Sequence, residues 1–384
     1  MNPAALRFRL TAARACAWAL LVAGWIGIGS FALNFASSVS AGFALIAMWL
    51  FALGAAASVA TRGGMRPLAL AIALCAAAAA SAAGLEWTVR GGGLAALMLA
   101  LAGWAALTAL ASGVVRGLRV AQAAAPRPPV VPASVGALVA AYALGDIGDL
   151  PELSMRLAAF VAATAVVLVL LQKRGDAGAR ARGCRAGLFD CSLPAWPAGA
   201  WRDIAQWPTL LAGLVMLPMM AALPLLAAWC RAESVAPQTM VLVHLAAMFG
   251  PALLLEQRIA RWSSRVVSFA CAALLALGAI AVAWAPAPLD MLGLAAAHGA
   301  AWGIAWSGQL WAPERRGRQG ASPLYAAVGY ALLTLAFGAI VEWEGARGVV
   351  AVHVAFGLVA ALVWAAGSAA TLNALRKPGS KPLG

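Results

Sequence analysis

The chain has 384 residues, of which 64% are hydrophobic and only 10% charged. A soluble domain is about half apolar and a quarter charged, so a water-soluble globule is excluded. The formal net charge of +14 would suit nucleic acid if it formed a stripe with interleaved aromatics; the basic residues instead sit in short loops between apolar runs, which excludes that partner.

Apolar runs recur from Arg14 to Leu375 and predict about twelve spans of the roughly twenty residues that cross a bilayer. They centre near Ile26, Leu50, Ala77, Leu101, Val139, Ala163, Leu217, Met248, Leu275, Gly303, Thr334 and Ala360. The first run is of spanning length and lacks a clear cleavage site, so no removable signal peptide is expected. The fifth is the weakest, since Pro132 opens it and Gly145-Asp146 closes it early. Abundant alanine and arginine, with only Lys173, Lys377 and Lys381 as lysines, indicate a bacterial chain from a GC-rich genome.

The loops alternate in charge. Arg7, Arg9 and Arg14 precede the first span; Arg62 and Arg66, then Arg116, Arg119 and Arg127 follow on the same side. Beyond the long loop come Arg258, Arg261 and Arg265, then Arg315, Arg316 and Arg318, then Arg376, Lys377 and Lys381. The other side holds Arg90, Arg156, Arg231 and Arg347. The positive-inside rule therefore puts both termini in the cytoplasm, and the localisation expected is a multi-pass bacterial inner membrane protein. The one long hydrophilic break, 173–206, is basic and cytoplasmic on this reading. It divides an all-α polytopic chain into a six-helix half, 1–172, and a second six-helix half, 207–384. Equal span counts fit a duplicated bundle.

The outer loops carry Glu86, Asp146, Asp149, Glu152, Glu233, Asp290, Glu342 and Glu344. An acidic face concentrates cations near an entrance, although outer loops avoid basic residues in any case. Cys16, Cys75 and Cys271 fall inside spans and read as small packed side chains. Cys184 and Cys191 lie in the basic loop with a spacing that matches no common zinc pattern. Asp146, Asp149 and Glu256 sit near span ends, where solvated charge is ordinary. No P-loop, nucleophile elbow or paired-carboxylate signature is present, so no enzyme is expected.

The sharpest chemistry lies in 207–258. Met216 and Met220 are four apart in the seventh span, and His244 and Met248 are four apart in the eighth. Positions i and i+4 share one helix face. Thioether sulfur and imidazole nitrogen suit Cu(I), whereas hard cations want oxygen. Singly, each pair reads as packing, because methionine is an ordinary gap-filler. A histidine at membrane depth is more informative, since buried polar groups there face a cavity or a partner. Antiparallel neighbours would put Met220 level with Met248, with His244 above and Met216 below, a ladder for a soft cation. Pro218 and Gly250-Pro251 are positions where these helices could kink. His298 and His353 fall in the outer halves of the tenth and twelfth spans; His298 is read as supporting the ligands or lining the pathway, and His353 as a packing or interfacial residue.

The six-plus-six plan with a basic central loop and internal termini resembles the major facilitator superfamily over the whole chain. That superfamily's loop between spans two and three has a G-x-x-x-D-R-x-G-R-R pattern. Here Thr61-Arg-Gly-Gly-Met-Arg66 keeps the basic residues and glycines but has no aspartate. Glu256-Gln-Arg-Ile-Ala-Arg-Trp-Ser-Ser-Arg265 keeps a closer echo in the second half. Met-x-x-x-Met followed by His-x-x-x-Met looks like the CcoA-type copper importers of the superfamily, which supply copper for assembly of cbb3-type cytochrome c oxidase. The resemblance implies that Met216, Met220, His244 and Met248 bind and pass copper. It implies copper as transported ion with no permanently bound cofactor, the lipid bilayer as surroundings, and a cytoplasmic copper acceptor. Two other readings stand beside it: a carrier for a small organic solute, using the many tryptophans, and a membrane metal or haem protein using the three histidines.

Reporter fusions test the topology. A fusion at Gly384 should report the cytoplasmic side, and an external signal would overturn the orientation.

Overall fold

The structure, a computed structural model, describes residues 3–36, 38–60, 67–91, 93–120, 130–143, 156, 159–164, 166–167, 212, 216, 219–220, 222–223, 225–226, 235–259, 261–286, 288–311, 323–345, 347–355, 357–359, 362 and 365. The described chain is helical throughout, joined by short turns and without a strand. The helices are α1 (Pro3–Phe35), α2 (Val39–Ala60), α3 (Pro67–Val89), α4 (Gly93–Val120), α5 (Val130–Ala143), α6 (Pro237–Ile259), α7 (Ser264–Trp284), α8 (Leu289–Trp311) and α9 (Pro323–Glu344). Further helical residues within 156–167, 212–226 and 347–365 fall where the sixth, seventh and twelfth spans are expected. By length and composition, Pro237–Leu255 and Arg265–Trp284 can cross a membrane; shorter apolar segments include Val39–Leu53 and Ala95–Thr108. The loop 173–206, with Cys184 and Cys191, lies outside the described residues, as do Asp146 and Asp149.

Helices are what these residues must form in hydrocarbon, where no water can satisfy a bare backbone group. The same rule governs hydroxyls. Ser81, Thr108, Ser307 and Thr334 are buried, and each donates to the carbonyl four residues earlier, at 2.7–2.9 Å. The outer surface is apolar instead: Phe51, Ile72, Leu254, Trp284 and Leu362 are exposed. Buried hydroxyls inside and bare hydrocarbon outside reverse the pattern of a soluble bundle.

Small residues bring the helices close. A Cβ on Gly84 would stand 2.5 Å from the Ala100 nitrogen, and one on Gly103 would stand 2.6 Å from the Ser81 nitrogen, which locks α3 to α4. Gly24 and Gly27 of α1 receive Thr108 and Trp104 of α4 in the same way. The turns that reverse the chain use Gly91 (φ 89°) and Gly345 (φ 59°), a left-handed conformation open to glycine.

Among the described residues the two expected halves meet at several places. Trp18 of α1 stands edge-on to Phe249 of α6, with ring centroids 5.6 Å apart. Phe43 of α2 meets Phe337 of α9 at 5.0 Å, and α5 packs on α6. At the end expected to lie outside, Ser38 caps α2 by accepting from the Ala41 N–H at 3.2 Å. The Ser40 N–H donates to the Glu342 carboxylate at 2.8 Å, so an acid from the end of α9 closes on the positive end of α2. Glu86 is paired with Arg90, and Asp290 accepts from the Met291 N–H at 2.7 Å. Three of the acids expected outside thus have local structural work. Two expectations change in detail. Cys271 is buried as a packed side chain, but Cys75 is exposed on the apolar surface. The fifth helix begins at Val130, with Pro132 inside its first turn, where a missing N–H costs nothing.

The α2–α9 contact has little room. A Cβ on Gly338 would lie 2.4 Å from the Phe43 Cβ, whereas Gly329 on the same helix has nothing within 4 Å. Gly338→Leu should destabilise the protein by about 1–3 kcal/mol, the usual cost of overpacking. Gly329→Leu should not, and thermal melts in detergent compare the two. Equal melting would place α2 and α9 apart.

Candidate functional site

α6 carries the histidine and methionine pair. It has no N-terminal acid, one basic residue, Arg258, in its last turn, and runs on through Pro251 without ending. His244 and Met248 are fully buried and lie one turn apart. That stretch of backbone packs on α8. A Cβ on Gly299 would stand 2.4 Å from the His244 carbonyl oxygen, and one on Gly303 would stand 2.1 Å from that of Met248. A Gly-x-x-x-Gly step therefore seats α8 against the part of α6 that bears the pair.

The close approach fixes the imidazole. His244 Nδ1 lies 3.0 Å from the Ala295 carbonyl oxygen of α8. A carbonyl only accepts, so Nδ1 carries the proton and Nε2 presents a lone pair. That Nε2 is buried and has no hydrogen-bond partner among the described residues. One ring nitrogen anchored on a backbone carbonyl and the other bare is how a metal-ligating histidine is oriented.

Met216 and Met220 are buried in the helical stretch 212–226, together with Met219 between them. All three belong to the same continuous apolar core as Met248 and Leu245. The structure thus buries all four sequence-derived positions, the three methionines among them in one apolar core. For His244 it shows α8, the tenth expected span, as a direct partner.

His298 of α8 is buried and stands edge-on to His353, with ring centroids 5.0 Å apart. It lies within electrostatic range of both His353 and His244. His353 donates from Nδ1 to the Val349 carbonyl at 2.6 Å and stands edge-on to Phe337 at 5.7 Å. Its ring is buried, which favours the packing alternative over the interfacial one. Among the described residues no group of three or more His, Cys, Asp or Glu is placed to hold a metal ion. The three histidines are near one another but do not form a closed metal or haem site.

Sequence reading passed over a second set of polar atoms. Trp25 of α1, Trp49 of α2 and Trp104 of α4 are buried, and each indole N–H lacks a hydrogen-bond partner among the described residues. A tryptophan in an apolar run looks like packing, and only the fold shows its N–H stranded.

No protein-family model matches this sequence, and no curated protein matches it either. Solved structures do match in fold. The nucleoside transporter NupG shares 15% identity over 96% of this chain and 99% of its own, with a TM-score of 0.60. The xylose transporter XylE from E. coli, in a partially occluded inward-open form, shares 13% over 93% and 97%, with a TM-score of 0.58. A bacterial homologue of the iron transporter ferroportin, outward-facing, shares 16% over 95% and 99%, with a TM-score of 0.56. Another structure of XylE is described as a major facilitator superfamily proton:xylose symporter.

The stranded nitrogen generates a stability prediction. His244→Leu removes one hydrogen bond, worth about 1 kcal/mol, and also an unsatisfied buried atom costing about 1–3 kcal/mol. Without metal, the variant should therefore unfold within about 1 kcal/mol of the parent or later. A large loss in thermal melts would make His244 a structural keystone.

Proposed function

We propose that this chain, an all-α polytopic protein with the fold of the major facilitator superfamily transporters, is a secondary transporter that imports copper by alternating access. The observation that carries the reading is His244: buried, tied through Nδ1 to Ala295, with a bare Nε2. Met248 one turn away and the buried Met216 and Met220 supply thioethers in the same core. These ligands are soft and neutral, so they favour Cu(I) over hard cations. They need no deprotonation, and a sparse set releases its ion more readily than a thiolate cage. His298, beside His353 and near His244, serves as the pathway residue on this reading.

The membrane is a bacterial inner membrane with both termini cytoplasmic, as the loop charges support. Copper is cargo rather than a resident cofactor, and a cytoplasmic acceptor would take it for cytochrome oxidase assembly. The chain is not an enzyme on this reading. The stretches 1–172 and 207–384 are its two moving halves, joined by 173–206. Structural neighbours include a homologue of an iron transporter but also a nucleoside transporter and a fucose:proton symporter. An organic-solute carrier is therefore the competing reading.

Copper uptake by whole cells separates the two. Met216→Leu and His244→Leu should leave the protein inserted but abolish copper accumulation. Met220→Leu and Met248→Leu should reduce it less. Leucine resembles methionine in volume, so packing alone tolerates the methionine changes at under about 1.5 kcal/mol. Full copper uptake by the Met216→Leu, His244→Leu double variant would sink the copper reading and favour the organic solute.

A further inference from the structure

The three histidines are held unequally. His244 and His353 each fix one ring nitrogen on a backbone carbonyl, that of Ala295 and that of Val349. His298 is also buried, but no hydrogen bond among the described residues fixes its ring. What it meets instead is the edge of His353 at 5.0 Å and, on α7, Gly278, where a Cβ would stand 3.5 Å from Cδ2. A glycine there in place of a side chain leaves the ring room to turn. The setting of His298 therefore follows that of His353.

His353 is itself the middle of a row of rings. It stands edge-on to Phe337 of α9 at 5.7 Å, and Phe337 stands edge-on to Phe43 of α2 at 5.0 Å. The row starts at His298, within electrostatic range of His244, and ends in the other expected half. Phe43, Phe337, His298 and His244 lie four, seven, nine and seven residues from the helix ends expected outside. At about 1.5 Å per residue these positions share a layer about 8 Å deep. Edge-on contacts are directional, because the positive edge of one ring meets the negative face of the next. Turning one ring of the row changes what its neighbour meets.

The far end of the row is a contact that the transporter reading requires to part. Phe43 is seated where Gly338 leaves space, since a Cβ there would stand 2.4 Å from the Phe43 Cβ. One turn away the Ser40 N–H is held by the Glu342 carboxylate at 2.8 Å. While α2 and α9 are shut in this way, Phe337 is held between Phe43 and His353. When they part, Phe337 loses one of those two ring partners and the row is released from its end. We infer that Phe337 and His353 are positioning residues through which the α2–α9 contact sets the ring of His298 beside the His244 site. Shutting the contact holds His298 towards its place on the pathway, and parting it lets the ring turn away. The inference rests on the transporter reading, and its test needs no copper.

The chain has only three histidines, so isotope-labelled histidine gives three imidazole NMR signals, each assigned by replacing one histidine. The sample is the metal-free, full-length protein in nanodiscs. Phe43→Leu removes the ring at the far end, two ring contacts from His353. It should shift the signals of both His353 and His298. Glu342→Ala loosens the same contact from its polar end and should shift the same two signals less. Leu332→Ala, on the exposed side of α9, is the control and should shift neither. His353→Phe keeps a ring in the row, so His298 should still respond to Phe43→Leu. His353→Leu breaks the row and should abolish that response. A His298 signal unmoved by both Phe43→Leu and Glu342→Ala overturns the inference. So does a response as strong in His353→Leu as in the parent. The copper reading fails on the uptake of the Met216 and His244 variants instead, so the two failures are distinguishable.

Discussion

The contact from His244 Nδ1 to the Ala295 carbonyl is the one on which the functional account depends. It spends the imidazole's only proton on the backbone of a neighbouring helix. What remains is a buried lone pair on Nε2, with no donor among the described residues to meet it. A buried acceptor of that kind is an expense for the fold alone and a resource for binding a soft cation. The bond in turn needs α8 to approach α6 closely, and Gly299 and Gly303 are what permit it. Glycine spacing, helix approach, imidazole orientation and ligand presentation form one causal series.

The same logic runs through the rest of the bundle. Hydrocarbon forces the backbone into helices and folds Ser81, Thr108, Ser307 and Thr334 onto their own carbonyls. Helices in lipid gain from tight packing, so small residues mark the contacts: Gly84 and Gly103 between α3 and α4, Gly24 and Gly27 between α1 and α4, Gly338 between α9 and α2. On the transporter reading, contacts between the halves must also break. The ones seen here are mostly aromatic edges, Trp18 on Phe249 and Phe43 on Phe337, with the Glu342 carboxylate on the start of α2. Such contacts are localised and can part without stranding a row of backbone groups.

Much of the fold was legible from hydropathy, because a twenty-residue apolar run has few alternatives in a membrane. Helical residues occur at or around every expected span centre. The pairing of Met216 with Met220 and of His244 with Met248 could be read directly, since i and i+4 spacing is a local property, and all four are buried. What the sequence did not deliver was the partner of His244. Reading spans seven and eight as neighbours overlooked Gly299-x-x-x-Gly303 on the tenth, a small-residue step that signals close helix contact. The stranded indoles of Trp25, Trp49 and Trp104 had no local signal, because a missing partner is a property of the whole fold. Glu342 shows the reverse error: counted as part of an acidic face, it is also engaged at the start of α2.

The most direct measurement is X-ray absorption at the copper edge on purified protein loaded with one equivalent of Cu(I). The account predicts a mixed shell of thioether sulfur and imidazole nitrogen, with the nitrogen contribution lost in His244→Leu. A shell of oxygen alone, or one unchanged by removing His244, would contradict it.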